Sequence, residues 1–258
     1  MLIDVNCYIG HWAFRPFPWY TAADLLRAMD AHGIDQAFVS SASAILYRDS
    51  QAGNEELYAA VRAHTDRLIP FAVINPTYSD WRHDLAVCHE EFGARGVRLY
   101  PKYHRYTLTD SNGDALIRAA TERGMVISIP GRVEDYRQRS WLLDVADVSA
   151  AEMAEVAKRH PRARFLPVNG IGFTNTAFGA AGALECDYAI EISRLSAFVS
   201  EEIQTLISRV GPERLAFGSG MPFTVPEVPL LKLEVLDVSE EVKEAIRWKN
   251  AARLIGAC

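Results

Sequence analysis

Three observations predict an α/β fold, a single-domain (β/α)₈ TIM barrel spanning residues 1–258. Short apolar runs alternate with longer amphipathic ones from end to end, the order of a parallel sheet whose strands are joined by crossover helices. Several of the short runs are continuously apolar, as strands buried on both faces require. The 258 residues also match one closed barrel of about 250, so no second domain is needed.

Taken in order, the predicted strands are Leu2 to Tyr8, Gln36 to Ala42, Leu68 to Ile74, Gly96 to Tyr100, Met125 to Ile129, Ala163 to Val168, Tyr188 to Ile192 and Arg214 to Phe217. Between them, Thr21 to His32 opens on a Thr cap, keeps Leu25, Leu26 and Met29 on one face, and stops at Gly33. Asn54 to His64, Asp80 to Phe92, Gly113 to Arg123, Ser149 to His160 and Ala197 to Val210 show similar periodicity, and Ser239 opens a last helical region reaching Leu254. The irregular stretches are His11 to Tyr20, Tyr103 to Asn112, Arg132 to Val148, Gly170 to Gly182 and Pro222 to Asp237. They follow strands, so they are expected at the C-terminal face, where barrels place their sites.

Composition narrows the partners. Hydrophobic residues make up 49% and charged residues 23%, values of an ordinary folded domain rather than a disordered chain. With a net charge of -6 and the basic residues dispersed, no footprint for nucleic acid or a membrane surface is formed. Cys7, Cys88, Cys186 and Cys258 show neither CxxC pairs nor regular spacing, which speaks against a zinc knuckle or a disulfide framework. The first residues run straight into a strand pattern, and no apolar run reaches the ~18 residues of a membrane span. A cytoplasmic protein acting on a small-molecule substrate or ligand is expected.

Three places resemble the amidohydrolase-related family of metal-dependent hydrolases, part of the amidohydrolase superfamily. Ile3-Asp4-Val5-Asn6-Cys7-Tyr8-Ile9-Gly10 is similar to its first-strand Asp-x-His-x-His-x-Gly, with both histidines exchanged. Gly96-Val97-Arg98-Leu99-Tyr100-Pro101, with Asp66-Arg67-Leu68 and Asn75-Pro76 before it, resembles the third and fourth strand regions. Phe217-Gly218-Ser219-Gly220-Met221-Pro222-Phe223 and Lys249-Asn250-Ala251-Ala252-Arg253-Leu254 resemble Gly-Ser-Asp-x-Pro and Asn-Ala-x-Arg-Leu, with Gly220 where the catalytic Asp would stand. No piece is specific alone; their order along the chain makes the likeness.

The resemblance implies a metal centre that this chain lacks the ligands to build. Asn6, Tyr8, Pro130, Asn169 and Gly220 occupy the places of its ligands and catalytic Asp. An amide oxygen is a weak zinc ligand, and a phenol must first lose a proton with an ordinary pKa of about 10. No metal and no cofactor are therefore expected; a site rebuilt from His11, His104 and Glu191 is the remaining metal alternative.

For chemistry without a metal, Lys102, His104, His11 and Glu191 are the candidate catalytic residues. Lys102 or Arg132 would polarise a carbonyl or hold a carboxylate, and His11, His104 or Glu191 would act as base. A Schiff-base role for Lys102 is a further alternative, and a salt bridge to Arg194 is the structural explanation for Glu191. His32, His64, His83, His89 and His160 fall within or at the ends of predicted helices, where solvated or capping roles are expected. Asn6, Tyr8, Trp12, Tyr100, Tyr103, Arg132, Asn169, Ser219 and Met221 are the candidate substrate contacts. Trp12, Phe14, Phe17, Trp19 and Tyr20, stiffened by Pro16 and Pro18, make the first loop a lid or a subunit interface.

Two functions follow. One is a hydrolase of a small ester, lactone or amide working without the usual metal centre; the other is a non-catalytic barrel that binds a small molecule or a protein partner. The family resemblance implies association as a homodimer.

Overall fold

The computed structural model describes residues 1–17 and 19–257, so the stiffening expected of Pro18 and the thiol of Cys258 lie outside the described residues. Seven parallel strands form one curled sheet in sequence order: β1 (Ile3–Ile9), β2 (Gln36–Ser41), β3 (Leu68–Val73), β4 (Gly96–Arg98), β5 (Val126–Pro130), β6 (Arg164–Val168) and β7 (Asp187–Tyr188). Two further strands, β8 (Ile190–Glu191) and β9 (Leu215–Ala216), pair with each other. Only Ala189 separates β7 from β8, so the two are one broken barrel strand that bonds β6 on one side and β9 on the other. Beyond β9 the chain reaches β1: Val5 N–H donates to Phe217 O (3.0 Å), Gly220 N–H to Asn6 O (2.7 Å) and Tyr8 N–H to Met221 O (2.8 Å). These bonds close the barrel.

Helices cover its outside, beginning with α1 (Ala22–Ala31), α2 (Ser50–Val61) and α3 (Trp81–Glu90). A four-residue turn, α4 (Pro101–His104), precedes α5 (Ser111–Glu122), α6 (Ala150–Arg159) and α7 (Glu202–Val210). Local chemistry sets their starts. Thr21 and Ser149 each form a capping box, with Asp24 and Glu152 respectively, and Asp110 accepts the N–H groups of Asn112 and Gly113. Two corrections to the sequence reading follow. The stretch from Pro222 to Asp237 contains a helix, α8 (Glu227–Val235), whose Pro229 sits in the first turn where its missing N–H costs little. The last helical region is not uniform: α9 (Glu240–Glu244) and α10 (Asn250–Ile255) flank a π-helical turn, Ala245–Lys249. In that turn the Ile246 carbonyl accepts from Phe217 N–H at 2.9 Å, which anchors the end of the eighth barrel strand.

The buried apolar side chains form three clusters, the smallest at the top of the barrel around Tyr8, Trp12, Val73, Tyr100 and Phe223. Ile3, Val5, Phe38, Phe71, Val126, Leu166, Val168, Ala189 and Ala216 fill the barrel, and α10 plugs its lower end with Ala251, Ala252, Leu254 and Ile255. Asn250 holds that plug by donating to Pro212 O and Leu215 O, both at 2.8 Å. The second, larger cluster packs strands against helices and includes Val39, Val97, Ile127, Ile190 and Phe217. Gly96 is required by packing: a Cβ there would lie 2.2 Å from the Phe71 ring.

Candidate active site

The upper barrel interior is polar, and β1 sets it out. Its register against β2 slips between Asp4 and Cys7, a bulge that lets Asn6 and Tyr8 both serve the interior while Cys7 joins the outer core. Arg98 on β4 spans the barrel to this bulge. Its guanidinium donates to Val5 O (3.0 Å) and Cys7 O (3.2 Å), the carbonyls flanking Asn6, and lies 4.8 Å from the centre of the Tyr8 ring. Asp4 completes the seam, accepting the N–H groups of Asn6 and Ser219, both at 2.9 Å. Asn6 is fully buried, and neither of its amide atoms finds a hydrogen-bond partner. The hydroxyls of Tyr8, Tyr100 and Ser128 and the Arg98 Nε are likewise buried without one. Burial pushes the Tyr8 and Tyr100 phenols up, against the opposing charge of Arg98, so both are proton donors at neutral pH.

Glu191 stands beside them at the end of β8. Its neighbours along the strand, Ile190 and Ile192, face the helices, which turns Glu191 inward, and its carboxylate chain lies against Gly218 next to Asn6. It accepts from Asn169 N–H (2.8 Å), the Ser193 hydroxyl (2.9 Å) and Ser193 N–H. Arg194 does not pair with it; that guanidinium turns to Asp135 at 3.5 Å. Burial outweighs the three donors and raises the Glu191 pKa to about 7. Asp4 is raised too, again by burial first.

These residues do not fit the metal centre that the fold implies. Asn169 donates its Nδ2 to Arg132 O (2.8 Å), which leaves only a neutral amide oxygen, a weak metal ligand, and Pro130 has no donor atom to offer. Gly220 sits at φ +78°, and a Cβ there would lie 2.6 Å from Thr224 Oγ1, so a carboxylate-bearing residue would need both a strained backbone and a shift of Thr224. Among the described residues, no group of three or more His, Cys, Asp or Glu side chains is placed to hold a metal ion. His11, His104 and Glu191 do not assemble into one.

The other predicted residues are distributed around the mouth. His104 is buried, its Nε2 3.2 Å from Ile45 O, and burial lowers its pKa to about 4. His11 is exposed and stacks on Tyr20 with ring centres 4.4 Å apart. Lys102 lines the same cleft as Tyr100, Tyr103 and Arg132, and its ammonium is paired with Glu152 in the capping box of α6, at 2.6 Å. Met221 puts its side chain in the outer core, and Ser219 accepts from Met221 N–H (3.1 Å) at the strand seam. Tyr100, Tyr103 and Arg132 line one narrow cleft, walled on its far side by Val145 to Val148.

The first loop packs its aromatic side chains against Phe223 and Tyr103. Trp12 packs edge-on against Phe223 (5.2 Å), Phe14 (5.7 Å) and Tyr103 (6.4 Å), and Tyr8 against Phe223 (5.1 Å). Arg15 fastens the loop, donating to the buried Glu134 at 2.7 Å and to Phe223 O at 3.3 Å. Arg98, Arg15 and Glu134 were not picked out by the sequence reading. The only signal for Arg98 was a charged residue inside an apolar strand, the same signal that marked Glu191.

A family model described as Amidohydrolase matches residues 187–257, from β7 to α10. No curated protein matches the chain. Solved structures share the fold along its whole length. A 2,6-dihydroxybenzoate decarboxylase from Rhizobium is 16% identical with a TM-score of 0.74, covering 99% of this chain and 98% of the other. A 5-carboxyvanillate decarboxylase from Sphingomonas paucimobilis is 15% identical with a TM-score of 0.75, at 99% and 98% coverage. A Pseudomonas putida protein provisionally named a 2-pyrone-4,6-dicarboxylic acid hydrolase is 18% identical with a TM-score of 0.70, at 99% and 97% coverage. The chain thus shares the barrel fold of these structures along its whole length, and from β7 onward its sequence matches the amidohydrolase family model.

Proposed function

We propose that the barrel is a hydrolase-like enzyme for a small ester, lactone or amide, with Glu191 as its acid–base group and no metal in the reaction. The observation that carries this reading is a fully buried carboxyl with a pKa raised to about 7, at the C-terminal end of a barrel strand. Such a group exchanges protons at neutral pH, which an ordinary carboxylate does not.

In the proposed reaction ionised Glu191 takes a proton from water as its oxygen attacks the carbonyl carbon. The carbonyl π pair moves onto oxygen, where Tyr8, Tyr100 and the Asn6 amide supply hydrogen-bond donors. Collapse of that tetrahedral species breaks the bond to the leaving oxygen or nitrogen, which receives the proton from Glu191. The shared fold with a protein provisionally named a 2-pyrone-4,6-dicarboxylic acid hydrolase favours hydrolysis; the decarboxylases on the same fold make loss of CO₂ the competing chemistry.

The test is turnover of a lactone, ester and amide panel by chelator-treated protein. Glu191→Gln is expected to lower kcat by at least about 10²-fold, the usual worth of a general base. Full activity in that variant, or activity only when a divalent metal is returned, would refute the assignment. The aromatic cover formed by Trp12, Phe223 and Tyr103 favours a second reading, a non-catalytic ligand-binding barrel. Saturable ligand binding with no turnover across the panel would select it.

A further inference from the structure

A cleft separate from the surroundings of Glu191 lies between α1 and α2, at the ends of β1 and β2. Its volume is about 350 Å³, within the roughly 300–1,000 Å³ of small-molecule pockets. His11 and Tyr20, from the two ends of the first loop, and Tyr47, from the turn after β2, wall it; Ile9 and Leu57 add apolar surface. Backbone bonds hold the walls in place. Gly10 N–H donates to Tyr20 O (2.7 Å) and His11 N–H to the Ser43 hydroxyl (3.0 Å), which pins both ends of the loop and keeps the His11 and Tyr20 rings stacked. Tyr47 N–H donates to Ser43 O at 3.1 Å. The Tyr47 hydroxyl in turn donates to the Glu56 carboxylate, 3.2 Å from Oε1 and 3.4 Å from Oε2.

Charge selects the ligand. Glu56 is the one acidic residue on these walls, and no lysine or arginine joins it there. By contrast, the clefts beside the active site are lined by Arg132 and Arg139 in one case and by Arg137 and Arg194 in the other. Among the described residues Glu56 makes no ion pair, so its charge is met only by the Tyr47 hydroxyl. The rings are open as well. Tyr8, Tyr136 and Tyr188 each carry an arginine over the ring, whereas among the described residues no cation covers Tyr20 or Tyr47. An aromatic face is the negative side of the ring's quadrupole, so the rings and the carboxylate attract the same kind of charge, a positive one. A hard metal ion would need several oxygen ligands where Ile9 and Leu57 offer none, while alkyl groups on a nitrogen suit that apolar surface.

We propose that this cleft is a binding site for a small alkylated ammonium ion, held between the Tyr20 and Tyr47 rings with its charge toward Glu56. The site goes beyond the hydrolase reading and does not depend on it. It shares no residue with the clefts beside Glu191, and its occupancy is measured without turnover. His11 then belongs to a wall of this cleft rather than to the chemistry of the barrel interior.

The experiment is an NMR titration of the ¹⁵N-labelled full chain with choline and with its neutral isostere, in which a tert-butyl group replaces trimethylammonium. Choline is expected to give saturable shifts at the amides of Gly10, His11, Tyr20 and Glu56, with affinity falling as salt rises, and the isostere none. Glu56→Gln and Tyr20→Leu are each expected to weaken choline at least about threefold, the worth of one exposed cation–π or ionic contact. Tyr47→Leu removes the opposite wall should loss of Tyr20 unsettle the first loop, and the spectrum of each variant reports whether it folds. Glu90→Gln, on α3 and outside the cleft, should bind as the parent does. No saturable shift at the cleft, an equal response to the isostere, or undiminished binding in Glu56→Gln or in both tyrosine variants would overturn the proposal.

Discussion

At the scale of single residues, two buried titratable groups of the barrel mouth respond to burial in opposite senses. Glu191 is pushed toward its protonated form and His104 toward its neutral form, because in each case the charged state is the one that burial penalises. His104 carries a consequence for acid stability. Its folded pKa of about 4 lies below the ordinary 6.5, so between these values the unfolded chain binds a proton that the folded chain does not. Its contribution is complete above pH 6.5 and is lost as pH falls to about 4, a span that corresponds to roughly 3 kcal/mol. Urea unfolding of His104→Gln from pH 7 to pH 4 is expected to show a shallower loss of stability than the parent; parallel curves would show that His104 is not the group responsible. Its position after a strand was visible in the sequence. Its burial was not, since that depends on the Ile45 carbonyl and the Tyr100 ring reaching it from elsewhere.

At the scale of elements, the bulged β1 is the part that defines the site. Arg98 fastens it from β4 across the barrel, and two carbonyls depend on that one guanidinium. Arg98→Met is therefore expected to destabilise the protein by about 1–3 kcal/mol for each carbonyl left without a donor, with loss of the bulge register. Hydrogen exchange at Asn6 and Tyr8 rising more than at β6 would report it; unchanged protection in β1 would contradict the role. Strands and helices were legible because buried parallel strands are continuously apolar and capping boxes sit at fixed spacing. α8 was not, since Pro226, Pro229 and an apolar run without periodicity hide a short helix. Nor was the π-helical turn, which is stabilised by a partner in β9's extension, Phe217, far back in the chain.

At the scale of the whole molecule, a barrel shared with amidohydrolase-type structures frames an interior in which the residues at the metal-ligand places are of other kinds. Asn250 still pins the closing helix and Asp4 still joins the first strand to the eighth, while neutral residues occupy the ground of the metal ligands. Sequence reasoning registered Gly220 as a loss. Only packing shows that Thr224 Oγ1 crowds the position its Cβ would take. No helix among the described residues is long and apolar enough to cross a membrane. At its centre the barrel interior holds a buried carboxyl whose pKa is raised to about 7. The most direct measurement is a ¹³C NMR titration of glutamate-labelled protein, with Glu191→Gln identifying the resonance. A Glu191 midpoint near pH 7 is the predicted result; a midpoint near the ordinary value of about 4.3 would contradict the account.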